Sequence, residues 1–156
     1  GMIITAILLI QYWIANNKLF NDINKTNKRK YFLIFGIGSA LFLIFHSIFL
    51  GIATDINFLK FLKRFVLIGF ITFELIAQAL LVINMIKDKN KIKILINKKI
   101  LNLKVILVLI LIIAAFFAAP ILNSSEYTHF KHALEWNYFL GVILFYLLTF
   151  LLWKKK

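Results

Sequence analysis

Seven residues of the 156-residue chain combine reactive chemistry with unusual placement: His46, Glu74, Gln78, His129, His132, Glu135 and Trp136. In HFKHALEWNYFL, the residues His129, His132, Glu135 and Trp136 follow steps of three and four, so on a helix they share one face. Imidazoles and a carboxylate facing one another can trade protons in general acid/base work. They can also hold a metal through His46, His132 and Glu135, with His129 as a fourth ligand. H-x-x-H-x-x-E alone is a weak metal signal, because ligands three residues apart must be completed from another segment. A third use is contact with a lipid headgroup, or a purely structural network joining helices. All three stay open on the residues alone, and headgroup contact is the reading preferred.

Glu74 and Gln78 lie one turn apart in FITFELIAQALL, amid residues that belong in hydrocarbon. An ionisable group there is costly unless it is paired, protonated or hydrated. Glu74 is thus either a protonated carboxyl bonded to Gln78 or a neighbouring helix, or a proton carrier or headgroup contact in the interior. His46, in FLIFHSIFLG, has Ser39 two turns away on the same face. A lone histidine of this kind is ordinarily a satisfied bundle residue. It gains interest because Glu135 comes out at a similar depth if both helices reach the same membrane surface.

The elements that must position these residues are membrane spans. Hydrophobic residues make up 62% of the chain, and the mean hydropathy is +0.90, well outside soluble practice. The apolar runs fall at about 2–16, 31–53, 62–86, 100–122 and 130–153, most of them near the ~20 residues that cross a bilayer as helix. The expected fold is all-α, an integral membrane helical bundle of five transmembrane helices forming a single domain over residues 1–156. Basic residues set its orientation. Five Lys and Arg lie between the first two spans, six lie between the third and fourth, and three end the chain, against Lys60, Lys63, Arg64 and Lys131 on the other side. By the positive-inside rule the N-terminus is outside and the C-terminus cytoplasmic. Gly1, ahead of Met2, reads as a remnant of tag cleavage.

That asymmetry accounts for most of the +13 net charge, so no nucleic-acid partner is needed and membrane lipids are the natural counterpart. A membrane-protein partner stays open. The absence of cysteine excludes thiol chemistry. No G-x-S-x-G, H-E-x-x-H or phosphate-binding glycine loop occurs, so catalysis would need a constellation assembled across helices. The spans lack the charge rings or carbonyl filters of a channel. Gly36 with Ala40, Ala114 with Ala118, and Ala115 with Ala119 have the spacing that lets helices approach closely in lipid. FLKFLKRF at 58–65 is expected to lie in the interface as an amphipathic entry to the third span.

The last span also carries a resemblance. His129, Ala133, Glu135 and Trp136, followed by Phe139, Phe145, Tyr146, Thr149 and Phe150, resemble the last transmembrane helix of the Frag/DRAM/Sfk family. His46 and the pattern ending at Gln78 are weaker likenesses. The resemblance covers about residues 2–153, with the specific part confined to the surroundings of Glu135. It implies a lipid-related membrane function rather than a settled reaction. Members of that family have six spans with both ends cytoplasmic, so the first of those spans would have no counterpart here.

The functional expectation is a polytopic membrane protein that binds or remodels lipid from the outer leaflet through its His/Glu cluster, in a bacterial inner membrane. A metal- or acid/base-dependent intramembrane enzyme is one alternative, and a non-catalytic assembly or regulatory subunit is the other. No cofactor is expected beyond the metal just considered.

Overall fold

Runs of Leu, Ile and Phe favour helix wherever backbone polar groups must be satisfied within the segment, as they must in lipid, and the one proline, Pro120, falls in the last turn of its helix. The computed structural model describes residues 2–23, 31–52, 57–88, 96–123 and 128–153. Five helices account for nearly all of them: α1 (Met2–Ile23), α2 (Tyr31–Leu50), α3 (Asn57–Lys87), α4 (Lys98–Asn123) and α5 (Thr128–Leu152). Four are long and apolar enough to cross a membrane, through Met2–Asp22, Tyr31–Phe49, Asn57–Lys87 and Lys98–Phe117, while α5 has a shorter apolar part, Trp136–Leu152. These are the elements of a membrane protein. Their outward surfaces agree, with Phe116, Phe117, Trp136 and Phe150 exposed on helices that contain few charges.

Two helices begin or end away from the expected boundaries. α1 continues seven residues past Asn16 to Ile23, because Phe20 is buried and its ring lies 5.8 Å from that of Phe32 on α2. Tertiary packing extends the helix beyond its apolar run. α3 begins at Asn57, so FLKFLKRF is the first part of the same continuous helix. Within it Lys63 donates from Nζ to the Ile52 carbonyl at 2.9 Å, filling an acceptor left just beyond the end of α2.

Packing divides the chain into two compact units, residues 1–81 and 82–156. In the first, α1 lies against α2 through Trp13, whose indole occupies the space a side chain at Gly36 would need. α2 meets α3 through Phe73, which sits over Gly38 between Phe35 and Phe42 with ring centroids 5.3 and 5.1 Å away. Gly36 thus has the close-approach role read from its spacing. Ala114, in contrast, is exposed.

In the second unit, α4 and α5 run antiparallel. Their ends are joined where Asn97 donates its backbone N–H to the Leu152 carbonyl at 2.9 Å and Ile96 bridges to Trp153. The Asn97 side chain caps α4, with Oδ1 accepting the Lys99 N–H at 3.0 Å. Leu101, Lys104, Val108 and Leu111 form the buried stripe of α4, facing Val142, Phe145, Thr149 and Leu152 of α5. Gly141 lets Leu111 approach, but only the methyl-bearing end of Leu111 blocks a larger residue there. Gly141→Ala is therefore expected to leave the melting temperature in detergent nearly unchanged, the helix-propensity gain of about 1 kcal/mol offsetting a rotation of Leu111.

Candidate functional site

α3 is apolar on every side around its middle, so its few polar residues must find partners in one another or on a neighbouring helix. Glu74 and Gln78 both do so and both are fully buried. Gln78 Nε2 donates to Glu74 Oε1 at 2.9 Å, as the one-turn spacing predicts. The second carboxyl oxygen lies 2.7 Å from Ser39 Oγ on α2, and the same hydroxyl is 2.8 Å from the Gly36 carbonyl. Ser39 is fully buried as well. The result is a polar chain across the α2–α3 contact, Gly36–Ser39–Glu74–Gln78, with Trp13 of α1 against its Gly36 end. Gln78 Oε1 is buried with no hydrogen-bond partner among the described residues. A buried carbonyl oxygen left open costs about 1–3 kcal/mol, so the interior of this unit has room in its bonding for one more donor.

His46 is half-buried near the end of α2. The backbone of α5 begins at Thr128, so His129, His132, Glu135 and Trp136 do stand on one helix at the spacing read from sequence. Trp136 is 72% exposed, outside any core. The side chains of His129, His132 and Glu135 lie outside the described residues, and with them the expected meeting of this group with His46. Among the described residues no group of three or more His, Asp or Glu gathers in a way that could hold a metal. The metal set His46, His132 and Glu135 depends on two of the side chains outside that description.

The second unit holds a polar group that the sequence reading passed over. Lys104 lies about 9 Å along α4 from its first residue at 1.5 Å per residue, and is fully buried. Its Nζ donates to Thr149 Oγ1 of α5 and stands 3.9 Å from the centroid of the Phe145 ring. Thr149 in turn donates to the Phe145 carbonyl at 2.9 Å, its own helix supplying the acceptor. Among the described residues the ammonium thus has one oxygen acceptor and one aromatic face, a cation–π arrangement that is strongest where water is excluded. The sequence carried one signal for it. Lys104 is the sole charged residue inside the apolar run 100–122, and a lysine so near a span end is ordinarily assumed to snorkel outward.

No protein-family model, curated protein or solved structure matches this chain.

Proposed function

We propose that this chain is a polytopic membrane protein that binds lipid, and through binding remodels it, from the outer leaflet. The observation that carries the reading is the buried Ser39–Glu74–Gln78 chain with its open Gln78 oxygen. Within a membrane span little water is at hand to satisfy that oxygen, and a polar headgroup drawn into the bundle is the donor that would fit it. In the proposed topology each helix crosses once, the N-terminus is outside and the C-terminus is cytoplasmic. The end of α2 and the start of α5 then each reach the outer surface, where His46 on the one, and His129, His132 and Glu135 on the other, contact lipid headgroups and Trp136 anchors in the interface. The Frag/DRAM/Sfk resemblance of α5 supports the same class of function, and the basic inner segments favour a bacterial inner membrane with anionic lipid.

The reading is tested by reconstituting the protein in lipid discs of defined phospholipid, exchanging it into detergent and quantifying the retained lipid by mass spectrometry. Wild type is expected to keep stoichiometric phospholipid. Glu74→Gln combined with His132→Ala is expected to lose most of it. If the double variant retains the same lipid and only melts earlier, these side chains join helices and the chain is a structural or assembly subunit. Zinc that co-purifies and disappears in His132→Ala would point instead to the metal-dependent enzyme.

A further inference from the structure

The Ser39 hydroxyl owns a single proton and has two oxygens within reach, the Gly36 carbonyl at 2.8 Å and Glu74 Oε2 at 2.7 Å. The carbonyl can only accept. With the Ser39 proton directed to it, in the back-bonded arrangement common for serine within a helix, the second contact joins two oxygens and needs a proton of its own. Only Glu74 can supply it. An ionised carboxylate would set lone pair against lone pair at that distance, in a position sealed from water. The other carboxyl oxygen, Oε1, behaves as a carbonyl, accepting from Gln78 Nε2 at 2.9 Å. With Ser39 so directed, the bonds run in one direction, from Glu74 to Ser39 to Gly36.

We infer that Glu74 is a proton-bearing carboxylic acid within a membrane span, and that it is therefore a modification site for hydrophobic carbodiimides. These reagents partition into lipid and react with the acid form of a carboxyl. The acid proton moves to one nitrogen of the N=C=N group while the carboxyl oxygen bonds to its central carbon, giving an O-acylisourea. The acyl group then shifts from that oxygen to nitrogen, giving a stable N-acylurea. No atom leaves, so the residue gains the whole mass of the reagent. Two features select Glu74: its proton is held in place by Ser39, and its burial in apolar surroundings keeps out water that would hydrolyse the O-acylisourea. Asp22 and Asp88 lie at or next to helix ends and serve as internal references.

The full chain in lipid discs would be treated at neutral pH with dicyclohexylcarbodiimide, or with a water-soluble carbodiimide, and digested for peptide mass spectrometry. The expected result is an adduct on Glu74 with the hydrophobic reagent, at least tenfold less with the soluble one, and none in Glu74→Gln. An infrared difference spectrum of wild type minus Glu74→Gln provides a readout that does not depend on reagent entry. It is expected to show a carboxylic-acid C=O band that shifts in D₂O. A carboxylate band in its place would overturn the protonation. An acid band without an adduct would overturn the modification site, and neither result would bear on lipid retention.

Discussion

Trp13→Ala is expected to destabilise the first unit by about 3–5 kcal/mol, the range for removing a large aromatic from a packed core. Trp13 is fully buried, lies against Gly36 and touches the rings of Tyr12 and Phe32 at centroid distances of 5.0 and 6.3 Å. Its loss leaves a cavity between α1 and α2 that neither helix can close without moving. Trp13→Phe is the informative control. It keeps a ring over Gly36 and removes Nε1, a buried N–H with no partner among the described residues, so its cost should stay below about 1.5 kcal/mol. From the other side of the contact, a Cβ added at Gly36 would stand 2.3, 2.4 and 2.6 Å from three atoms of the indole. A rigid ring cannot rotate out of the way as the end of Leu111 can at Gly141. Gly36→Leu should therefore approach the cost of Trp13→Ala, and the two together should cost less than their sum. Thermal melting of the four proteins in one detergent measures this. Strict additivity would mean that Trp13 and Gly36 do not form the α1–α2 contact.

The pair also shows what a sequence reading can and cannot reach. Helix number and approximate placement follow from hydropathy, because apolar length alone decides whether a segment can span. The one-turn spacing of Glu74 and Gln78 foretells their hydrogen bond, since it is local to one helix. Partners across helices are another matter. Ser39 was legible only as a companion of His46 on α2, while its bond is to Glu74 of α3. Helices apolar on all sides give no moment to indicate which face is packed, and nothing in the order of residues says which helix lies opposite. The same blindness hid Lys104, whose place in the stripe of Leu101, Val108 and Leu111 is visible only once α5 covers it. α1 ran longer than its apolar run for a related reason, because the ring that holds its last turns belongs to α2.

Lys104 yields the other large effect, and here substitutions on the two sides of one contact should move stability in opposite directions. An ammonium buried with one hydroxyl and one ring leaves two N–H donors without an oxygen acceptor among the described residues. Desolvating it costs several kcal/mol, and those contacts return only a part. Lys104→Met fills nearly the same space with an unbranched apolar chain, so it is expected to stabilise the second unit by about 1–4 kcal/mol, as replacing buried charge with packed hydrophobic groups often does. Thr149→Val should act the other way. It keeps the shape, removes the oxygen acceptor of the ammonium and leaves the charge to the Phe145 face, at a cost of about 1–3 kcal/mol. In the Lys104→Met background that cost should nearly vanish, because no cation remains to need the hydroxyl. Melting curves for wild type, both single variants and the double variant close the cycle. If Lys104→Met lowers the melting temperature as far as Thr149→Val does, the contacts with Thr149 and Phe145 outweigh desolvation, and the lysine is a structural asset of the α4–α5 pair. If it raises the melting temperature while lipid retention or growth of the host is lost, the chain keeps a destabilising cation in its interior because its function needs one there.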